Sequence, residues 1–121
     1  MNEKIILHCI TQTLVEKKAE AIKTIDVTKL TDISDFFVIC TASSTRHAKA
    51  LLGYVVEAVK KRLNLNPYGV EGEEQGEWIL IDFLSVVVHI MLPETRQFYD
   101  LESLWRVTKN SRIQEKTTTT E

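Results

Sequence analysis

Two apolar runs, Trp78–Phe83 and Val86–Leu92, are separated only by Leu84 and Ser85. So short a connection leaves no room for a crossover, so the two runs must pair as an antiparallel hairpin. Side chains alternate along a strand, which puts Ile79, Ile81 and Phe83 on one face and Trp78, Leu80 and Asp82 on the other. The first set is wholly apolar and is the natural core face. A third run, Phe36-Phe37-Val38-Ile39-Cys40, is continuously apolar. That is the pattern of a strand buried on both sides, which requires helices to cover the sheet.

The rest of the chain supplies those helices. Ile6, Ile10, Leu14 and Val15 recur at helical spacing with Cys9 beside them, which predicts an amphipathic helix over residues 3–20. Thr24–Val27 reads as a strand, with a turn region over Thr28–Asp35. Thr41–Thr45 offers N-cap residues for a long helix with an apolar face of Leu51, Leu52, Val55, Val56, Val59 and Leu63. Lys60, Lys61 and Arg62 favour its C-terminal end, and Asn64–Pro67 stops it. Tyr68–Glu71 is a short strand and Gly72–Gly76 a polar turn. Pro93 opens a last helix in which Phe98, Leu101, Leu104 and Trp105 keep helical spacing. The expected fold is α/β, a mixed β-sheet sandwiched by helices, in one domain over residues 1–107. From Thr108 the chain is polar, and residues 108–121 lack the apolar area to offset their ordering entropy, so a disordered tail is expected there.

The chain has 121 residues, enough for one core without staples. No run of 18 apolar residues exists, which excludes a membrane-spanning helix by hydropathy. The first residues resemble neither a secretion signal nor an Arg/Ser-rich transit segment, so a soluble, cytoplasmic protein of bacterial origin is expected. Cys9 and Cys40 lie in apolar surroundings and read as buried free thiols. The net charge of −2 is too small for a nucleic-acid binder. It is also uneven. Residues 64–105 hold eight acids (Glu71, Glu73, Glu74, Glu77, Asp82, Glu94, Asp100, Glu102) against the single base Arg96. Such a segment would attract a basic partner, or it is a solvated acidic surface kept for solubility.

Catalytic chemistry finds little support. The Thr41–Thr45 loop joins a buried strand to a helix, where α/β folds bind anions. Yet no glycine lies between Cys40 and Gly53, and Gly-x-x-x-x-Gly-Lys-Ser/Thr is absent. Capping explains these hydroxyls better. Ser43 or Ser44 could find a base only in His47, with no Gly-x-Ser-x-Gly elbow to mount it. His8, His47 and His89 are far apart, so a metal site is unsupported. His89 fits a hydrogen-bonded sheet histidine better than a base. Asp-x-Asp is absent, and Glu73-Glu74 sits in a glycine-flanked loop, a poor mount for two-metal chemistry. No catalytic residue, cofactor or metal is therefore assigned. Trp78 beside Asp82 on an outer strand face has the composition of an interface hot spot, unless a helix covers it. Tyr99-Asp100-Leu101-Glu102 is a second aromatic and acidic cluster.

The ordered series Thr31-Asp32-Ile33-Ser34-Asp35-Phe36-Phe37-Val38-Ile39, Ser43-Ser44-x-Arg46, Gly69-Val70-Glu71-Gly72, Trp78-x-x-x-Asp82, Val86-Val87-Val88-His89 and Phe98-Tyr99-Asp100-Leu101-Glu102-x-Leu104-Trp105 resembles the ribosomal silencing factor (Iojap-like) family. The likeness spans about residues 5–105, and six fragments in register over one short domain are specific. It implies a fold related to nucleotidyltransferases without their catalytic carboxylates. It also implies a non-enzymatic function: binding the large ribosomal subunit through the fourteenth ribosomal protein, on the intersubunit face, and blocking the small subunit when nutrients are scarce. A homodimer is implied for the free protein, with no membrane and no sequence-specific nucleic-acid partner. The contact surface it implies is Trp78 with its strand neighbours Ile79 and Leu80, then Asp82, Tyr99, Asp100, Leu101 and Glu102. The alternatives are a small phosphoryl- or nucleotidyl-transfer enzyme using the Ser43–Arg46 loop, and a dimeric scaffold for some other basic protein.

Overall fold

The computed structural model describes residues 2–103, folded as α1 (Glu3–Glu16), β1 (Glu20–Asp26), β2 (Phe36–Thr41), α2 (Thr45–Leu63), β3 (Gly69–Glu71), β4 (Trp78–Asp82), β5 (Val86–Met91) and α3 (Pro93–Tyr99). Five strands form one sheet in the order β1-β2-β5-β4-β3. β2 and β5 run parallel and every other neighbour pair is antiparallel, so the sheet is mixed as the sequence predicts. β4 and β5 form the expected hairpin, in the register Trp78↔Met91 to Asp82↔Val87. Its turn is held by the Asp82 carboxylate, which accepts the Leu84 N–H at 2.7 Å, with Leu84 at φ 71°. Asn2 caps α1, and among the Thr41–Thr45 cap candidates the Ser44 hydroxyl caps α2 by accepting the His47 N–H. Asn64 ends α2 in the left-handed region that asparagine tolerates.

α1 and α2 pack on one face of the sheet. Ile6, Cys9, Ile10 and Leu14 of α1 and Leu51, Leu52, Val55 and Val59 of α2 meet Val38, Cys40, Ile79, Ile81, Val86, Val88 and Ile90 in one buried cluster. Both thiols are free and buried, as expected. Burial pushes the Cys40 thiol up to about 12, so it behaves as a small apolar side chain.

Three boundaries differ from the sequence reading by more than one residue. α1 stops at Glu16 rather than near residue 20, because Lys18 turns into the left-handed region (φ 68°) and the Ala19 N–H returns to the Leu14 carbonyl. No glycine or proline marks this stop. β1 consequently begins at Glu20 instead of Thr24, and an irregularity between Glu20 and Lys23 accommodates Ala21 at φ 50°. The last helix does not run unbroken toward Trp105, since Asp100 adopts φ 47° after Tyr99 and a separate helical turn covers 101–103. Leu104, Trp105 and the polar tail lie outside the described residues.

A candidate interaction site on the second sheet face

The face turned away from α1 and α2 is built by register. Opposed residues share a face, so Ile25, Phe37, Val87 and Asp82 form one row across β1, β2, β5 and β4. Lys23, Ile39, His89, Leu80 and Glu71 form the next, and Thr41, Met91 and Trp78 the third. The centre of this face is closed: Ile39, Val87, His89 and Met91 are buried. All six residues of β5 are therefore buried, although the two long helices cover only one of its faces.

Among the described residues, α3 and the turn after it meet this second face at Arg96 and at Tyr99. Arg96 spreads its guanidinium over four acceptors: the Ala21 carbonyl at 2.7 Å, the Thr41 hydroxyl at 2.8 Å, and both Glu102 carboxylate oxygens at 3.1 and 2.7 Å. The irregular backbone of β1 exposes that Ala21 carbonyl, so the bulge and the arginine are parts of one clasp. The second contact is aromatic, with the Tyr99 ring 4.8 Å from the Trp78 ring.

Rings continue from there in both directions. Phe98 meets Tyr99 edge-on at 4.9 Å, and on the other side Trp78 lies 6.1 Å from His89, which meets Phe37 edge-on at 5.1 Å. The Trp78 indole N–H donates to His89 Nδ1 at 3.1 Å. A neutral imidazole has one acceptor and one donor nitrogen, so this bond places the proton on Nε2. Burial lowers the His89 pKa to about 4, which keeps the ring neutral. At the outer end of the row Phe98 is 79% exposed and Tyr99 52%, and the indole itself is half-buried. Large apolar rings left open at the rim of a sheet face are what a docking surface offers.

The structure sorts the residues singled out in the sequence. Trp78, Leu80 and Asp82 share this face, and Tyr99 packs beside Trp78. Tyr99 covers part of the indole, so a helix shields Trp78 without removing it from the surface. Asp100 is exposed, and Leu101 and Glu102 are half-buried. Ile79 is a correction: strand alternation turns it to the opposite face, where it is fully buried in the helix-side core and is no contact residue. Sequence reasoning missed four contributors, Phe37, His89, Arg96 and Phe98. The period-2 pattern of Val86–Met91 already put His89 on one face of its strand. Which residue it met there depended on strand order.

The acidic segment also becomes clearer. Its single base, Arg96, is turned inward onto Glu102, which leaves seven acids from residues 64–105 with no base among them. Glu71, Glu73, Glu74 and Glu77 are exposed along the connection into β4. Gly72 is obligatory in that connection: it stands at φ 81°, and a Cβ there would lie 2.0 Å from the Trp78 carbonyl oxygen.

The Ser43–Arg46 loop is arranged differently from a nucleophile site. Ser44 is the N-cap of α2, and the Ser43 N–H donates to His47 Nδ1 at 3.0 Å. The Ser43 hydroxyl lies 3.2 Å from the same nitrogen, which its own backbone already occupies. His47 Nε2 then faces the Lys17 carbonyl at 3.2 Å, tying α2 to the end of α1. Among the described residues no three His, Cys, Asp or Glu side chains cluster to hold a metal, and no helix is long and apolar enough to cross a membrane.

Fold and site together define a small α/β domain that exposes an aromatic row with an acidic margin on the sheet face opposite its helices. Comparison with known proteins gives that description a family. The sequence model described as "Ribosomal silencing factor during starvation" matches residues 2–121. A protein named ribosomal silencing factor RsfS from Chromobacterium violaceum is 39% identical over 94 residues, covering 78% of this chain and 76% of that protein. A crystal structure of a protein from the same organism superimposes with a TM-score of 0.83 at 37% identity, covering 87% of each chain. The mouse protein named mitochondrial assembly of ribosomal large subunit protein 1 is 38% identical over 104 residues, which are 84% of this chain but 46% of the mouse protein. The chain belongs to the ribosomal silencing factor family.

Proposed function

We propose that this protein binds the large ribosomal subunit through its second sheet face and thereby keeps the small subunit from joining, lowering translation when nutrients are scarce. The partner is a basic ribosomal protein on the intersubunit face, the fourteenth in the standard naming. The observation that carries this reading is the pairing of an open aromatic row, Trp78, Tyr99 and Phe98, with seven acids of a segment, residues 64–105, whose only base is consumed internally. Trp78 supplies the anchor, desolvated against an apolar patch of the partner. Leu80, Asp82, Asp100, Leu101 and Glu102 complete the contact surface, with Glu102 held by Arg96, and the exposed acids steer a basic surface into register. Steric occupancy suffices and no bond is made or broken, so the protein works without catalytic residues. It acts in the cytoplasm and is a homodimer when free.

Sedimentation with separated ribosomal subunits tests this reading. The protein is expected to travel with the large subunit alone, and less of it at moderate than at low salt. Trp78→Ala is expected to lose about 2 kcal/mol or more of binding. Absence of binding at every salt concentration, with the domain folded, would sink the proposal.

A further inference from the structure

His89 is the one member of the aromatic row whose chemistry packing does not explain. It is 6% exposed, in the central strand of the sheet. Its Nδ1 accepts the Trp78 indole N–H, and this commits the ring to carrying its proton on Nε2. That second nitrogen is buried and has no hydrogen-bond partner among the described residues. A buried donor without an acceptor is a standing cost to the fold. Phenylalanine would fill the same slot, edge-on to Phe37, without that cost. What the imidazole does there that a phenyl ring cannot is fix the orientation of the indole.

We propose that His89 is a positioning residue for the partner contact: its Nδ1 holds Trp78 in the one rotamer that presents the indole beside Tyr99, before the partner arrives. The inference rests on the reading of this face as the ribosome-binding surface. Half-buried between His89 and Tyr99, Trp78 has its polar edge directed inward, so only its apolar part is offered outward. Fixing one side chain in its bound geometry lowers the entropy lost on docking. The orphan N–H is then stability given up for a pre-oriented contact, a common trade at functional sites.

The test compares His89→Phe, His89→Asn, Trp78→Phe, Trp78→Ala and the double variant Trp78→Phe/His89→Phe. Affinity for purified large subunits, thermal unfolding and the indole N–H resonances are measured for each. His89→Phe is expected to keep or raise the melting temperature, to move the Trp78 indole resonance, and to bind about tenfold more weakly. His89→Asn, whose side-chain oxygen can accept the same N–H, is expected to restore both resonance and affinity. Trp78→Phe has no N–H to hold, so adding His89→Phe to it should cost little more. Wild-type affinity in His89→Phe, with binding lost in Trp78→Ala, overturns the positioning role and leaves the proposed face standing. So do additive losses in the double variant. Wild-type affinity in both His89→Phe and Trp78→Ala overturns the face and the inference together.

Discussion

His89 also gives the fold a defined acid sensitivity. Its pKa is lowered to about 4 by burial, against about 6.5 for an exposed histidine. Between those values the unfolded chain binds a proton at this position and the folded chain does not. Stability therefore falls as pH drops from about 6.5 to about 4, by about 3 kcal/mol over the window, and this group has no effect above it. Unfolding by urea at a series of pH values should show this slope in the wild type and lack its His89 share in His89→Phe. Parallel curves would mean that the folded imidazole takes up its proton normally. The same protonation would remove the acceptor of the Trp78 N–H, so acid strikes the indole's support and the fold at once.

Among the helices, α3 is the least secured by burial, since none of its residues is buried. Seven residues are too few for a helix to persist by propensity alone, and its Leu92 N-cap makes no side-chain hydrogen bond. The Arg96 clasp on Ala21, Thr41 and Glu102 and the Tyr99–Trp78 contact take the place of a core-facing stripe. The guanidinium and carboxylate of this pair are 12% and 17% exposed, so the bonds are largely shielded from water. Arg96→Ala is expected to cost about 2 kcal/mol, chiefly as local unfolding. Amide exchange should accelerate over 93–103 while the β4–β5 ladder keeps its protection. Equal acceleration in both regions would show that the clasp supports the whole sheet rather than its C-terminal cover. Because Tyr99 travels with α3, the variant should also weaken subunit binding.

For the whole molecule, charge distribution matters more than net charge. A balance of −2 over 121 residues hides a segment whose acids have lost their only base to an internal pair. Such a surface acts through the rate of encounter and through exclusion of wrong partners. Glu73 and Glu74 are exposed in the loop before β4. The double charge reversal Glu73→Lys/Glu74→Lys should leave the melting temperature within about a degree, since surface substitutions there touch no buried group. It should slow association with the large subunit several-fold at low salt, and the difference should vanish as salt rises. An unchanged association rate would assign these acids to solubility alone.

What the sequence determined by itself is whatever local spacing encodes: the β4–β5 hairpin from its two-residue connection, the helix-facing set Ile79, Ile81 and Phe83, the capped start of α2 and its stop at Asn64. The family was legible too, because its fragments recur in order along one short chain. Where α1 ends was not, since Lys18 carries the left-handed turn without a glycine to announce it. Nor was the break at Asp100. Strand alternation, which already grouped Ile79 with the core set, overrides the contact role that the family resemblance implied for it. The site itself is a product of strand order. Only when β5 sits between β2 and β4 do Phe37, His89 and Trp78 become neighbours, and only the fold back of α3 adds Tyr99 and Arg96. Those contacts join residues far apart along the chain, and only tertiary packing decides which of them meet.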